Sequence, residues 1–321
     1  MSSKCPPLLF PEASRIAGLP VLPESPILCA HMKGPSTASI HWDCLGRRIA
    51  FDRRPLIMGI LNVTPDSFSD GGQFVDPAAA IDRGLALIRD GADMVDVGGE
   101  STRPGAQPVA VAEELARVIP VIAELARQTD ALISVDTVKS QVAEAAIRAG
   151  AHIVNDVSAL EADPHMAQVA KDTQAGVVLM HRQGSPATMQ VAPAYDDVVA
   201  DIRAYLARRL DALAAFGLSP DALAIDPGIG FGKTAEHNIR LLASLATFRS
   251  LGRPLLVGLS RKRFLESMTG RPVNERLAGS LAALCWCIGQ GADIMRVHDV
   301  KESRDAASVW HAFSREQQDH G

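Results

Sequence analysis

The stretch LIMGILNVTPDSFSDGG, residues 56–72, begins as an apolar run and ends as a polar loop closed by two glycines. Residues 56–61 have the length and β-branched content typical of a buried strand. Asn62 follows at the predicted strand end, and Thr64, Pro65 and Asp66 predict a turn. Enzymes of the α/β class often build their sites from such a residue and loop, although an ordinary strand–helix connection has the same pattern.

The order of strand, polar loop and Ala-rich amphipathic helix is repeated along the rest of the chain. The predicted strands are 56–61, 93–97, 131–135, 152–155, 176–180, 222–225, 254–259 and 292–297. The predicted helices are 77–90, 109–128, 138–149, 164–174, 195–216, 235–250, 276–290 and 302–315. Eight such units over roughly 260 residues favour a closed (β/α)8 TIM barrel. A doubly wound open sheet is the alternative, but it would need a Gly-rich dinucleotide loop after an early strand, and the sequence has none.

Three Gly-Ala turns indicate which end of the barrel carries the chemistry. Gly91, Gly150 and Gly291 each follow a predicted helix and precede a predicted strand. Glycine in this position can adopt the left-handed conformation that ends a helix. The short turns therefore lie at the N-terminal ends of the strands, and the long polar loops lie at the C-terminal ends, where barrel enzymes place their sites.

The barrel is predicted to occupy residues 55–316, preceded by a β-hairpin over residues 39–54 with strand-like pieces at 39–42 and 48–51. Residues 1–38 are rich in Pro and Ser and lack periodicity, which predicts a poorly ordered N-terminal extension. Residues 317–321 are predicted to form a short C-terminal tail.

Composition excludes several classes of partner. The 321 residues are 47% hydrophobic and 21% charged, with a formal charge of −5 and no basic block, so neither nucleic acid nor a membrane surface is expected as a partner. No apolar run approaches the ~20 residues of a membrane span. The five cysteines are odd in number and form no C-x-x-C pair, which favours a reduced cytoplasmic protein over a disulfide scaffold or a zinc site.

Polar residues follow every one of the eight predicted strands, and chance placement would not produce this regularity. They are Asn62, Asp96, Asp136, Asn155, His181, Asp226, residues 258–263, and Arg296 with His298 and Asp299. We therefore interpret them as a functional rim rather than as a solvated surface.

Two sub-sites are expected on this rim. Asp136, Asn155 and Asp226 are acceptor or amide groups that suit the edge of a flat ligand with several N–H groups, such as an aminopyrimidine. Asp136 could instead cap the helix that includes Val138.

The second expected sub-site is cationic and contains Arg103, Lys262, Arg296 and His298 near Asn62. Four potentially positive groups in an acidic protein predict an anionic substrate group, most naturally a phosphate. An Asn beside phosphate oxygens could also meet hydrated Mg²⁺. Solvated surface cations are the alternative, and they would explain Arg261 or Arg263 taken singly.

Five long motifs resemble the dihydropteroate synthase family of pterin-binding enzymes. They are MGILNVTPDSFSDGG (58–72), GGESTRPG (98–105), DPGIGFGK (226–233), SRK (260–262) and RVHD (296–299), and the resemblance extends from about Trp42 to the last helix. It implies condensation of 6-hydroxymethyl-7,8-dihydropterin pyrophosphate with p-aminobenzoate by a dissociative displacement, with Mg²⁺ as cofactor.

The resemblance also implies a role for individual residues. The pterin edge would be held by Asp136, Asn155, Asp226 and Lys262. Met180 and Phe231 would pack near the pterin ring, and Arg296 would lie over its face. Pyrophosphate and Mg²⁺ would be bound by Asn62, Arg103 and His298. The p-aminobenzoate pocket would be formed by Phe68, Thr102, Pro104, Ser260 and Lys262. Asn62, Asp136, Asp226, Lys262 and Arg296 are the expected catalytic residues.

Two other functions are weighed against this one. A pterin-binding methyltransferase acting on methyltetrahydrofolate would share the barrel but would have no use for a pyrophosphate cluster. A non-catalytic pterin-binding protein would tolerate the loss of Asn62 or Lys262, which are both present. The resemblance further implies a homodimer built from the late helices, although burial against the barrel explains the apolar residues 277–288 equally well. No Pro-Phe insertion interrupts residues 101–104, so sensitivity to sulfonamides is expected.

Overall fold

The computed structural model describes residues 40–51, 54–64, 76–101, 105–184, 188–189 and 191–320, with side chains as far as 316. The predicted extension over residues 1–38 lies outside this part of the chain. Three site residues predicted on the second strand loop, 102–104, and the predicted contact Phe68 also lie outside it.

A β-hairpin precedes the barrel, as predicted. Strands β1 (His41–Cys44) and β2 (Arg47–Ala50) are antiparallel, with Cys44 opposite Arg47. The two residues between them, Leu45 and Gly46, have φ angles of 50° and 78°. Positive φ at both positions is what a two-residue hairpin turn requires, because it matches the twist of the strands.

Eight parallel strands form a sheet that is nearly closed into a barrel, which confirms the predicted fold. They are β3 (Leu56–Asn62), β4 (Met94–Gly98), β5 (Leu132–Asp136), β6 (Ile153–Asp156), β7 (Gly176–Met180), β8 (Leu223–Asp226), β9 (Leu256–Gly258) and β10 (Ile294–Val297). Their order is β8-β7-β6-β5-β4-β3-β10-β9, and a bridge between Ile225 and Leu255 joins the two ends of this series. An open doubly wound sheet would leave those two ends apart.

Helices connect the strands and pack outside them. They are α1 (Pro77–Arg89), α2 (Val111–Gln128), α3 (Ser140–Ala149), α4 (Met166–Thr173), α5 (Val198–Phe216), α6 (Ala235–Ala243), α7 (Phe264–Thr269), α8 (Leu277–Gly289) and α9 (Val300–His320). The predicted helix 235–250 is divided into α6 and a 3-10 helix, Leu245–Leu251. The six-residue α7 was not predicted, because it is too short for a periodic signal. Helix α9 continues five residues beyond the predicted end at 315. No described helix has both the length and the apolar character to cross a membrane.

The hairpin closes the end of the barrel at which the strands begin. Trp42 and Cys44 are fully buried and pack against the residues that fill the barrel interior: Met58, Met94, Ile153, Val178, Ala224, Leu256 and Ile294. Trp42 Nε1 also donates to the carbonyl oxygen of Ala222 at 2.8 Å, just before β8. Access to the barrel interior is therefore left to the opposite, C-terminal end.

The Gly-Ala turns fix this closed end through the residue that follows them. All three glycines have positive φ, between 90° and 113°. Asp93 accepts the backbone N–H of Ile57 at 2.8 Å, and Asp293 accepts that of Leu255 at 2.8 Å. These carboxylates join neighbouring strands at their starts, so the structural turns and the polar rim lie at opposite ends of the strands, as predicted.

Candidate active site

The strand register brings the predicted pterin-binding residues together at the open end of the barrel, where the strands end. We call this end the mouth. Asp136 at the end of β5 lies opposite Asn155 of β6, and Met180 at the end of β7 lies opposite Asp226 of β8. Asp136, Asn155, Met180 and Asp226 are all buried. The polar groups therefore face the barrel interior rather than the solvent.

Arg296 connects the two sides of the mouth. From β10, its Nε donates to Asp96 Oδ2 at 2.6 Å and its Nη2 donates to Asp136 Oδ2 at 2.7 Å. Asn155 Nδ2 donates to the same Asp96 oxygen at 2.9 Å. The guanidinium is thus neutralised by two carboxylates, whereas the sequence groups it with cations open to a phosphate. This position suits contact with a ring in the mouth better than capture of a free anion.

Asp96 is the residue of this cluster that the sequence indicates on the rim without assigning it to a sub-site. It is fully buried, and its Oδ1 has no hydrogen-bond partner among the described residues. Its place inside the apolar run MVDVG indicates a buried carboxylate, and a buried carboxylate needs a partner. Its unpaired oxygen leaves one acceptor position for a ligand donor in the mouth.

Asp136 belongs to the mouth and does not cap the following helix. Helix α3 begins at Ser140, whose N–H donates to Asp163 Oδ2 at 2.8 Å. Burial raises the pKa of the Asp136 carboxyl above its ordinary value, and the Arg296 guanidinium acts in the opposite direction. The alternative interpretation of Asp136 as a helix cap is therefore wrong.

Lys262 and Asp226 are opposite charges in the mouth that influence each other without a direct ion pair among the described contacts. Asp226 Oδ1 accepts the Gly228 N–H at 2.7 Å, and burial raises the pKa of this carboxyl although Lys262 opposes the shift. Burial lowers the pKa of Lys262 to about 8, and the charge of Asp226 partly offsets this effect. The Lys262 ammonium donates to the carbonyl of Ile229 and lies 4.7 Å from the centre of the Phe231 ring. Lys262 and Phe231 are thus neighbours, as their predicted roles require.

The glycine-rich loop after β8 is held by a residue that has no predicted role. Lys233 is buried, and its Nζ lies 2.8 Å from Gly228 O, 2.9 Å from Phe231 O and 3.1 Å from His181 Nδ1. Gly228 has φ +69°, and a Cβ there would lie 1.9 Å from the carbonyl oxygen of His181. Lys233 therefore shapes the loop that carries Phe231. No sequence signal distinguishes such internal hydrogen bonding from solvation.

Ser260 and His298 lie side by side after β9 and β10. The Ser260 hydroxyl oxygen accepts the His298 backbone N–H at 3.3 Å and lies 3.1 Å from His298 Nδ1. Arg263 is exposed at the start of α7, as a solvated surface cation would be.

Asn62 is partly exposed at the end of β3, which lies between β4 and β10 in the sheet. Among the described residues, the cluster of His, Cys and acidic side chains compact enough for a metal ion is His41, Asp43 and Asp221, on and beside the hairpin. There Arg48 lies 4.0 Å from Asp43 and Arg253 lies 3.0 Å from Asp221, so guanidinium groups already offset the two carboxylates. At the mouth, Asn62 offers a neutral oxygen, which suits Mg²⁺ when phosphate oxygens and water supply most ligands.

Comparison with known proteins identifies the family. The profile of the family described as "Pterin binding enzyme" matches residues 58–298. Dihydropteroate synthase of Escherichia coli (strain K12) is 48% identical over 255 residues, which cover 79% of this chain and 90% of the relative. A structure of Xanthomonas albilineans dihydropteroate synthase with 4-aminobenzoic acid superimposes with a TM-score of 0.80 at 49% identity, covering 86% of this chain and 98% of that one. The Yersinia pestis dihydropteroate synthase in a sulfonamide drug complex gives a TM-score of 0.80 at 41% identity, covering 86% and 99%. The chain belongs to the pterin-binding enzyme family and, within it, to the dihydropteroate synthases.

Proposed function

We propose that the mouth of the barrel condenses 6-hydroxymethyl-7,8-dihydropterin pyrophosphate with p-aminobenzoate, giving 7,8-dihydropteroate and pyrophosphate. The observation that carries this proposal is the hydrogen-bonded set of the buried Asp96, Asp136 and Asn155 with Arg296, beside which lie Asp226 and Lys262. Incubation of the purified chain with both substrates should give the two products in equal amounts by mass spectrometry. Consumption of the pterin substrate without formation of dihydropteroate would refute the proposal.

The polar edge of the pterin is complementary to the carboxylates and amide of the mouth. Asp136, Asn155 and Asp226 offer acceptor oxygens on β5, β6 and β8, and a buried acceptor left without a partner costs about 1–3 kcal/mol. Donors on an aminopyrimidine edge would satisfy them. Met180 is buried beside Asp226, and Phe231 lies under the Lys262 ammonium, so both suit contact with the flat ring.

The diphosphate belongs at the other side of the mouth, near the ends of β3 and β10. Asn62 ends β3, His298 directly follows the neighbouring β10, and Arg103 is proposed to join them from the second loop. Mg²⁺ would enter with the diphosphate, with Asn62 as a protein ligand, and would neutralise charge on the leaving group. The residues present support this proposal, because Asn62 supplies a single amide oxygen, which is too few ligands to hold Mg²⁺ in the absence of the diphosphate.

The chemistry requires electrostatic stabilisation rather than a protein nucleophile. Departure of pyrophosphate leaves positive charge on the pterin methylene, conjugated into the ring. Asp136 and Asp226 stabilise that charge from fixed positions, and Lys262 and His298 stabilise the negative charge that departs. The arylamine of p-aminobenzoate then attacks the methylene carbon and loses a proton. Because water competes for the same cation, the second substrate must exclude it from the mouth.

The p-aminobenzoate pocket is proposed to lie outside the pterin site, where Ser260 and Lys262 meet the first two loops. Phe68, Thr102 and Pro104 are its proposed loop contacts. Sulfonamides should compete for it, a proposal supported by the sulfonamide complex of the Yersinia pestis relative and by the uninterrupted residues 101–104. An inhibition assay at rising p-aminobenzoate concentration tests this point, and the absence of any sulfonamide effect would refute it.

We further propose that the chain forms a homodimer through its last helices. Trp286 on α8 and Val309 and Phe313 on α9 are 52%, 54% and 69% exposed, and large apolar side chains exposed on two helices that pack together suit an interaction surface. Sedimentation of the wild type and of Phe313→Glu tests the dimer: the variant should be monomeric, and equal masses would place the interface elsewhere. A reducing cytoplasm is the proposed location, supported by the free thiols of Cys44, Cys285 and Cys287.

A further inference from the structure

Arg261, between Ser260 and Lys262, has a backbone conformation that is unfavourable for its side chain. Its φ is +58°, in the left-handed region that residues with a Cβ rarely adopt. Such residues persist only where the surrounding structure holds them, and they concentrate at functional sites. The conformation reverses the chain direction locally, so that Ser260 contacts His298 while Lys262 extends towards Phe231.

Helix α8 and its N-cap residue, Arg276, bind both backbone polar groups of Arg261. The Arg261 N–H donates to Ser280 Oγ at 3.0 Å, and Arg276 Nη1 donates to the Arg261 carbonyl oxygen at 3.1 Å. Ser280 and Arg276 are 5% and 7% exposed, so these contacts are shielded from water. Two side chains one helical turn apart therefore hold the N–H and the C=O of the same strained residue.

Additional contacts make this arrangement rigid. Ser280 Oγ donates to the Arg276 carbonyl at 2.8 Å, which sets the direction of its free acceptor lone pair. Arg276 Nε donates to Arg271 O at 3.0 Å, and its Nη2 pairs with Glu266. The Arg261 side chain pairs with Asp299, which directly follows His298. Contacts therefore hold the N–H, the carbonyl and the side chain of Arg261, and all of them fix the segment that carries Ser260 and Lys262.

We propose that Ser280 and Arg276 are positioning residues of the active site, which hold Arg261 in its left-handed conformation and thereby direct Lys262 into the mouth and Ser260 onto His298. The proposal extends the condensation reaction above and rests on it, because Lys262 and Ser260 are assigned there to the substrates. The described hydrogen bonds of Ser280 and Arg276 go to Arg261, Arg271, Glu266 and each other, and none of them goes to a mouth residue. Their effect is expected on catalysis through the geometry of Lys262, not through direct contact with substrate.

The test uses Ser280→Ala in the full-length chain, because it removes one acceptor and no charge. Without that acceptor Arg261 can leave the left-handed region, and kcat/KM should fall about ten- to a hundredfold, as for other small displacements of a binding group. The Lys262 ammonium should also become more solvated, so the alkaline limit of kcat/KM should move to higher pH. Ser280→Thr keeps the hydroxyl and should restore both properties.

Ser308→Ala is the matched control. Ser308 Oγ donates to the carbonyl four residues earlier at 2.8 Å, as Ser280 does, but it lies exposed on α9. It should leave kcat/KM and the pH profile unchanged. If Ser280→Ala lowers only the melting temperature and leaves kcat/KM and the alkaline limit as in the wild type, the residue is merely structural and the proposal is wrong. Absence of condensation by the wild type would instead refute the proposed function.

Discussion

Arg296 Nη2 lies 2.7 Å from Asp136 Oδ2, although the two residues are 160 positions apart in the sequence. Closure of the barrel brings β10 and β5 to opposite sides of the same mouth, and Asp96 of β4 shares the guanidinium. Both carboxylates are buried, so each depends on Arg296 for compensation of its charge. These ion pairs therefore contribute to the stability of the barrel and also to the arrangement of its site.

Replacement of Arg296 should separate these two contributions. Arg296→Met leaves two buried carboxylates without their cation, so the free energy of unfolding should fall by about 3–5 kcal/mol at neutral pH. The loss should shrink at acidic pH, because Asp136, whose pKa burial raises and Arg296 lowers, can then be protonated. Urea unfolding at about pH 7.5 and about pH 5.5 measures the difference. Arg127→Met, which breaks an exposed ion pair on α2, is the control. An equal loss at both pH values would contradict this explanation.

The sequence predicts the barrel well because each of its eight units carries a strong and repeated pattern. It also predicts which side chains reach the mouth, because the C-terminal ends of all the parallel strands lie at the same end of a barrel. It does not predict their partners. The bond between Arg296 and Asp96 spans 200 positions and depends on closure of the sheet, which no local pattern encodes. Nothing in an arginine indicates the left-handed backbone of Arg261, and nothing in Lys233 indicates that its ammonium binds carbonyls inside its own loop.

The pH dependence of the reaction should reflect Lys262. Because the surrounding protein lowers its pKa to about 8, the ammonium is present below that pH and is lost above it. We expect kcat/KM for the pterin substrate to fall as the pH rises through about 8. The raised pKa of Asp136 should bring the acid limit to a higher pH than an ordinary carboxyl would give.

Lys262→Arg identifies the group responsible for the alkaline limit. Its guanidinium remains charged throughout the range, so the residual activity should continue to higher pH even if KM increases. Initial rates between about pH 6 and about pH 10 give the profile. An alkaline limit that stays in place in this variant would assign it to a different group.

The ion pairs of Lys139 with Glu100 and Glu114 offer another test. The Lys139 ammonium pairs with both Glu100 and the buried Glu114, and Glu100 Oε2 accepts the Val109 N–H at 3.3 Å. These contacts connect Glu100 and Val109, which flank the predicted p-aminobenzoate residues in the sequence, to Lys139, three residues after Asp136. Lys139→Met should therefore raise KM for p-aminobenzoate about tenfold, and it should cost about 3–5 kcal/mol of stability because Glu114 loses its partner.

A second substitution separates those two effects. Lys139→Met combined with Glu114→Gln removes the buried charge, so stability should recover while the raised KM remains. Arg148→Met, which breaks an exposed pair with Glu144 on α3, should change neither quantity. Recovery of KM together with stability would show that Lys139 acts only on the fold.

The two ends of the stretch 56–72 are expected to serve different substrates. Asn62 ends a strand, whereas Phe68 falls in the stretch that the sequence predicts to be a loop. Asn62→Ala should weaken use of the pyrophosphate substrate and reduce the dependence on Mg²⁺ concentration, while Phe68→Ala should mainly raise KM for p-aminobenzoate. Steady-state kinetics with each substrate varied in turn distinguish these effects. The same change in both variants would argue against two separate sub-sites.

Pyrophosphate release by the wild-type chain tests the central claim most directly, because it distinguishes a condensing enzyme from a pterin-binding methyltransferase and from a non-catalytic pterin-binding protein. The pterin pyrophosphate is supplied with Mg²⁺, and release is followed with and without p-aminobenzoate. We predict release that rises with p-aminobenzoate and is matched by formation of 7,8-dihydropteroate. Release at the same rate without p-aminobenzoate, or no release under either condition, would contradict the account.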